Sequence, residues 1–244
     1  MTQKQSGRRP IRESGPVLLL LAAHPRMGVL TAAGLALAAA LAGRPLREVG
    51  LVLVTALVGQ AVLGWHNDLV DRVTDARNQR TAKPLADRRL EPGTVWFALC
   101  CAVLLLIPLC VSNGLAAGSC YAAAVLIGCL GNVVLRRGVL SFLPWALSFA
   151  LYPAFLSYGG WGGRDTGNPP EWSVVLVSAL LGVAVHLFTS GWGLVADDHD
   201  GSRSVPLRIG RRLGATRVIV GGGAGIVLAI VVLLVLGATV GLSA

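Results

Sequence analysis

The sequence predicts an all-α protein, built as a polytopic transmembrane helical bundle of about seven spans. Hydrophobic residues make up 54% of the 244 residues and charged residues only 14%, which is too apolar for a soluble domain of this length. The apolar residues gather in windows of about 20, the length of a membrane-spanning helix. No internal repeat or low-complexity linker divides the chain. We therefore expect one transmembrane domain over residues 25–244, preceded by a cytoplasmic tail, residues 1–24.

Several of the apolar windows begin or end at a characteristic residue or have a distinctive composition. The first begins at Pro25, a residue favoured in the first turn of a helix, and the second runs up to an acidic segment. The third and fourth carry all five cysteines, whose spacing fits neither a zinc site nor a disulfide framework. The seventh is rich in glycine, which lets helices approach closely. The predicted spans lie near residues 25–42, 46–66, 93–112, 114–135, 139–159, 172–196 and 214–240.

Basic residues are distributed unevenly among the connections, and they give the chain a net charge of +9. Five lie in the N-terminal segment, and six, two and five follow the second, fourth and sixth spans, so alternate connections hold 18 of the 21. By the positive-inside rule these connections face the cytoplasm. We therefore expect a multi-pass protein of the cell membrane with a cytoplasmic N-terminus and cytoplasmic site loops. The charge reflects topology, and no nucleic acid partner is expected.

An acidic segment, residues 67–75, follows the second span. Its carboxylates Asp68, Asp71 and Asp75 stand at i, i+3 and i+7 and share one helical face, where they repel one another unless a cation lies between them. Arginine and lysine residues follow closely, up to Lys83. Carboxylates that bind Mg²⁺, beside cations that bind phosphate oxygens, form the combination that holds a diphosphate. The segment therefore predicts a magnesium-diphosphate site.

A second acidic segment follows the sixth span and contains Asp197, Asp198 and Asp200, with Arg203 close behind. It falls on the same side of the membrane as the first segment. Two such segments can hold metal ions around one diphosphate from opposite walls. For either segment alone, a solvated helix end is the alternative interpretation.

Polar side chains recur at helical spacing on three of the spans. Because polar groups that face lipid are costly, these faces are expected to point toward a cavity or another helix. Aromatic members can stabilise a carbocation through cation–π attraction, with ordinary core packing as the alternative. His66, next to the first acidic segment, is a candidate general base or a candidate hydrogen-bond donor to phosphate. The stripes consist of Gln60, Asn67 and Asp71; Ser141, Trp145, Ser148 and Tyr152; and His186, Ser190, Gly193 and Asp197.

These motifs resemble those of the UbiA-type intramembrane prenyltransferases. The first signature of that family is Asn-Asp-x-x-Asp-x-x-x-Asp followed by Arg-Thr-x-x-Arg/Lys-Pro-Leu, and residues 67–85 match it nearly throughout, with Lys83 as the cation. The resemblance extends to the order of the spans and to the second acidic motif, over most of residues 24–217. It implies a helical bundle with a lipid-accessible cavity, in which Mg²⁺ and both acidic motifs hold a polyprenyl diphosphate among apolar helices.

The resemblance implies an isoprenoid transferase whose catalytic residues are Asp68, Asp71, Asp75 and Asp198. Ionisation of the allylic diphosphate would be assisted by Mg²⁺ and basic side chains, water would be excluded, and an aromatic or quinone-precursor acceptor would capture the cation. The implied metal ligands are Asp68, Asp71, Asp75, Asp197, Asp198 and Asp200; the implied diphosphate contacts are Asn67, Arg72, Arg80, Lys83, Arg136 and Arg203; the prenyl or acceptor pocket is His66, Trp145, Tyr152 and His186.

Three departures from the family pattern leave other functions open. Leu194 stands where the second motif usually has an Asp, Asn132-x-x-x-Arg136 replaces a Tyr-x-x-x-Lys element, and about seven spans are expected where the family has about nine. A smaller bundle is expected to be covered by membrane lipid, a partner subunit or a second copy of the chain. The alternatives are a terpene cyclase of the same fold, which captures the cation with the substrate's own double bonds, and a catalytically silent lipid-binding paralogue.

Overall fold

The structure, a computed structural model, describes residues 13–78, 83–159 and 167–242. These residues form helices and no β-strand, which confirms the predicted all-α class. The α-helices in this part of the chain are α1 (Gly15–Ala22), α2 (Pro25–Leu41), α3 (Leu46–Arg77), α4 (Pro92–Ser112), α5 (Leu115–Leu130), α6 (Leu143–Ser157), α7 (Trp172–Ser190), α8 (Leu194–His199), α9 (Val205–Leu213) and α10 (Ala215–Thr239).

The lengths of the helices support five or six of the seven expected spans. Within the described ranges, α3, α4, α5 with its π-turn (Gly131–Leu135), α7 continuing into α8, and α10 are each long and apolar enough to cross a membrane. Helices α1 and α2 meet at a bend of 61° and supply a sixth span if they are counted together. Helix α6 is apolar but has only 15 residues, short of the roughly 20 that a span needs.

Helix α3 extends beyond the predicted membrane span. The expected span ended at residue 66, whereas the helix continues without a break to Arg77, for a total of 32 residues. At 1.5 Å per residue it is about 48 Å long, well beyond a hydrocarbon core of about 30 Å. The acidic segment therefore lies on a rigid extension of a membrane helix.

Helices that follow one another along the chain pack side by side. Helix α3 contacts α2, α4 and α5, and α7 lies between α6 and α10. The close approach of α6 and α7 requires glycine, because a Cβ atom at Gly182 would lie 2.4 Å from the carbonyl oxygen of Trp145. The main core is centred on fully buried aromatic side chains, among them Tyr121 and Phe155.

Large apolar side chains cover much of the outer surface. Leu104, Ile107, Leu126 and Leu234 are each more than half exposed, an arrangement that water disfavours and lipid accommodates. Together with the apolar helices, it describes an integral membrane protein.

Part of the expected tail is helical. Its residues 15–22 form α1, whose Leu18 and Ala22 are buried in the main core. The division of the chain into a tail and one domain stays a prediction.

Candidate functional site

The three carboxylates of the first acidic segment are buried on one face of α3. The exposed fractions of Asp68, Asp71 and Asp75 are 2%, 9% and 4%. Buried carboxylates are stable only when cations or hydrogen-bond donors compensate them, so the partners of this face define the site.

Lys83 bridges two of these carboxylates. Its Nζ lies 2.8 Å from Asp68 Oδ1 and 2.8 Å from Asp75 Oδ2, and it donates a weaker hydrogen bond of 3.5 Å to Asn67 Oδ1. We expected Lys83 to contact phosphate. In the structure its ammonium instead lies between carboxylates, where the sequence predicts a metal cation.

Arg136 neutralises the remaining carboxylate, that of Asp71. It forms an ion pair with Asp71, whose other oxygen accepts a hydrogen bond of 3.3 Å from Asn67 Nδ2. Burial lowers the pKa of Arg136, as does Arg137, whereas the nearby Asp197 and Asp200 raise it. Arg136 therefore lies between the two acidic segments and is influenced by both.

A direct hydrogen bond also joins the two acidic segments. Asn78, at the end of α3, donates from Nδ2 to Asp200 Oδ2 over 2.9 Å. Asp198 lies apart from this contact, since its carboxylate is exposed and accepts a hydrogen bond of 2.9 Å from Arg211 Nε. The structure thus joins Asp200 to the end of α3, places Asp197 near Arg136 and leaves Asp198 on the surface.

Two of the expected phosphate contacts are exposed. Arg72 points away from the buried carboxylates and borders a separate pocket of about 330 Å³ that also includes Arg88 and Leu90. Arg203 is exposed, while its backbone N–H donates to the carbonyl oxygen of Arg137 over 2.8 Å. Arg80 lies outside the described residues.

The expected pocket residues Trp145 and Tyr152 belong to an aromatic row along α6. The ring of Phe149 lies between them, with centroids 6.5 Å from Trp145 and 5.0 Å from Tyr152. Tyr152 is buried and lies 6.2 Å from the ring of Tyr121. The row forms a continuous apolar wall in the bundle, with Tyr121 of α5 packed against it. Sequence spacing alone did not identify Phe149 or Tyr121.

The two expected pocket histidines have hydrogen-bond partners. His186 is buried, with Nε2 3.1 Å from Ser141 Oγ, and its ring stacks on Trp145 at a centroid distance of 5.7 Å. His66 Nδ1 lies 3.4 Å from Asn132 Nδ2. His186 thus joins the aromatic row, and His66 joins the residue that stands in place of the family's tyrosine.

The donor atoms fit a hard divalent cation, although they are not gathered around one point. Within the described ranges, no three Asp, Glu, His or Cys side chains are close enough to hold a metal ion. Asp68 Oδ2, however, is buried without any hydrogen-bond partner. An oxygen that is desolvated and unpartnered is costly, and a carboxylate oxygen is the ligand that Mg²⁺ prefers.

Sequence reasoning missed two residues of this site. His24, in the break between α1 and α2, lies with Nε2 2.8 Å from Asp68 Oδ1. Asn78 joins the acidic segments, as described above. Separations of 44 and 122 positions between these partners leave no local signal, although the position of Asn78 inside a polar run after the acids was a hint.

A protein with this bundle, and with two acidic segments meeting beside basic side chains at the end of its helices, has a prenyltransferase-type fold. The model of the UbiA prenyltransferase family matches residues 27–244, and the chain belongs to that family. No curated protein matches the sequence significantly.

Solved structures of a UbiA homolog from Archaeoglobus fulgidus resemble this one. The homolog bound to GPP and Mg²⁺ has a TM-score of 0.67 at 13% identity, covering 91% of this chain and 87% of that chain. The homolog bound to DMAPP and Mg²⁺ has a TM-score of 0.66 at 16% identity, covering 92% and 80%. The homolog bound to Cd²⁺ has a TM-score of 0.61 at 15% identity, covering 92% and 90%. At these identities the similarity shows the fold.

The position of Lys83 leads to a stability prediction. Lys83→Met leaves Asp68 and Asp75 without their shared cation, and removing one partner of a buried ion pair costs about 3–5 kcal/mol. We expect a lower melting temperature in detergent, which millimolar Mg²⁺ restores more strongly than it stabilises the wild type.

Arg89→Met is the matched control, because Arg89 pairs with Asp87 on the surface at 2.8 Å, where ion pairs contribute little. A Lys83→Met protein whose melting temperature does not respond to Mg²⁺ would contradict the assignment of these carboxylates to a metal.

Proposed function

We propose that the protein is a Mg²⁺-dependent membrane prenyltransferase, which ionises a polyprenyl diphosphate and transfers the prenyl group to an aromatic or quinone-precursor acceptor. The buried face of Asp68, Asp71 and Asp75, with Lys83 and Arg136 set against it, carries this proposal. Membership of the UbiA prenyltransferase family supports it, as do the similar folds solved with GPP or DMAPP and Mg²⁺.

The basic residues of the site bind the diphosphate in this proposal. Lys83 and Arg136 each lie at a carboxylate, so a short movement of either side chain brings it to a phosphate oxygen. Asn67 already contacts both Lys83 and Asp71 and orients them. Arg72 and Arg203 reach the diphosphate only by turning inward from the surface, and Arg80 is proposed from the sequence motif alone.

The carboxylates hold the metal in this proposal. Bound Mg²⁺ supplies positive charge that stabilises the departing pyrophosphate. Asp68, Asp71 and Asp75 would hold Mg²⁺ ions from the α3 wall, and Asp197, Asp198 and Asp200 would do so from the opposite wall. When Lys83 and Arg136 turn toward phosphate, the buried carboxylates lose their cations, so diphosphate binding and metal binding favour each other.

The aromatic row provides the apolar part of the site. Trp145, Phe149 and Tyr152 can line the path of the prenyl chain, exclude water and stabilise an allylic cation through their π-faces. His186 stacks on Trp145, and we propose it as the residue that accepts the proton an aromatic acceptor loses on alkylation. A cation-stabilising wall is also what a terpene cyclase needs, so this row favours the cyclase as the second candidate.

Pyrophosphate release tests both functions. Purified protein in nanodiscs is incubated with Mg²⁺, a panel of prenyl diphosphates, and either an aromatic acceptor or none. We expect release that requires the acceptor and is abolished by EDTA or by Asp68→Asn, because the variant loses a metal ligand without losing volume. Release with a cyclic product and no acceptor identifies the cyclase, and the absence of release under every condition identifies a silent paralogue.

The exposed position of Asp198 gives a second test, with Arg211 as its matched control. If Asp198 binds metal during turnover, Asp198→Ala lowers kcat by about 10²-fold or more while prenyl diphosphate still binds. Arg211→Ala, which removes the same ion pair, leaves kcat near the wild-type value. Equal kinetics in the two variants would instead assign Asp198 to the surface ion pair alone.

We also propose that the site and the N-terminus face the cytoplasm, because Lys83, Arg136 and Arg211 belong to the connections that hold most of the basic residues. In a background without the five native cysteines, an impermeant maleimide should label Ala42→Cys on intact cells and Asp87→Cys only after lysis. Both positions are exposed in the structure. The reverse labelling pattern would contradict a cytoplasmic site.

A further inference from the structure

The break between α1 and α2 holds a histidine in a conformation that L-residues avoid. His24 has φ 53° and ψ 56°, in the left-handed region, where the Cβ atom of a non-glycine residue crowds the backbone. Among the described residues only one other non-glycine residue, Arg88, has a positive φ. Strain of this kind persists where the surroundings fix it, and such positions cluster at functional sites.

The surroundings of the break fix it against α3. A Cβ atom at Gly64 would lie 2.4 Å from the carbonyl oxygen of Ala23, so glycine is needed for the two backbones to meet. Trp65 Nε1 donates a hydrogen bond of 2.9 Å to the carbonyl oxygen of Leu19. Both contacts come from the turn of α3 that immediately precedes Asp68. The break is therefore seated beside the first carboxylate of the acidic face.

His24 reaches that carboxylate from the break. Its Nε2 lies 2.8 Å from Asp68 Oδ1, and because a carboxylate oxygen can only accept, the ring nitrogen donates. Lys83 contacts the same oxygen. Both donors therefore act on Oδ1, while Oδ2 is left buried and unpartnered. The protein thus gives the two oxygens of the Asp68 carboxylate different surroundings.

We propose that His24 is a positioning residue that orients the Asp68 carboxylate so that its Oδ2 is presented to the metal. Lys83 is expected to leave Asp68 for the diphosphate, and His24 is then the donor that keeps the carboxylate in place. This inference rests on the proposed function, in which Asp68 is a metal ligand. Partners that orient a ligating side chain typically contribute 10- to 100-fold to metal affinity.

Glycine, leucine and glutamine at position 24 separate positioning from a merely structural function. His24→Gly removes the donor but adopts the left-handed conformation without strain, so the relieved strain offsets part of the stability lost with the hydrogen bond to Asp68. His24→Leu removes the donor with less change of volume. His24→Gln keeps an N–H donor of similar reach.

The readout is metal binding and needs no turnover. Free Mn²⁺, used in place of Mg²⁺, is measured by electron paramagnetic resonance as it is titrated into the full chain in nanodiscs with geranyl S-thiolodiphosphate, a substrate analogue that resists ionisation. We expect His24→Gly and His24→Leu to bind Mn²⁺ at least 10-fold more weakly, and His24→Gln to stay within about 3-fold of the wild type. The melting temperature of His24→Gly should lie above that of His24→Leu, which loses the same donor and keeps the strained backbone.

Two results would overturn the positioning function alone: wild-type Mn²⁺ affinity in His24→Gly, or equal losses in His24→Gln and His24→Leu. If the wild type itself fails to bind Mn²⁺ with the analogue, the proposed function fails and this inference fails with it. Failure of the inference and failure of the proposed function therefore give different results.

Discussion

The placement of carboxylates inside a membrane protein is the constraint on which this structure depends. Three of them lie on one face of α3, and each is matched by a cation or donor from a different part of the chain. Lys83 comes from the loop after α3, Arg136 from the end of α5, and His24 from the break before α2. Because an uncompensated charge in this environment is so costly, these contacts hold the loop, the π-turn and the broken helix in their places. The same interactions consequently form the site and hold this end of the bundle together.

This arrangement also determines what a substrate meets. In the function proposed above, a diphosphate would meet carboxylates that are already paired and would compete with them for Lys83 and Arg136. Phosphate and carboxylate are alike as acceptors for these cations, so the exchange costs little provided that a metal replaces the side chain that leaves. Diphosphate alone would leave the carboxylates without a cation, and metal alone would add positive charge beside Lys83 and Arg136.

The sequence was sufficient for the features that local periodicity controls. Hydropathy predicted the helical membrane fold, and the i, i+3, i+7 spacing predicted that Asp68, Asp71 and Asp75 share one face of a helix. Lys83 and Arg136 were expected to contact a diphosphate, which stays a prediction, and in the structure their partners are carboxylates. Two contacts depend on how separate elements pack, which sequence spacing does not indicate. They are the ion pair of Asp198 with Arg211 and the hydrogen bond of His24 with Asp68. The length of α6 was overestimated because an apolar window continues past both ends of the helix.

The π-turn at the end of α5 changes the direction in which the side chains after it point, relative to those before it. A regular α-helix rotates each successive residue by about 100°, so the packing of its apolar part would also dictate the direction of every side chain that follows. The wider turn at Gly131–Leu135 inserts a phase shift between the two. Gly131 fits closely against Pro144, where a Cβ atom would lie 2.5 Å from Pro144 Cβ, and five residues later Arg136 faces Asp71. One continuous stretch of helix can thus pack its membrane part against Pro144 and still direct Arg136 at Asp71, two directions that a regular α-helix would not provide together.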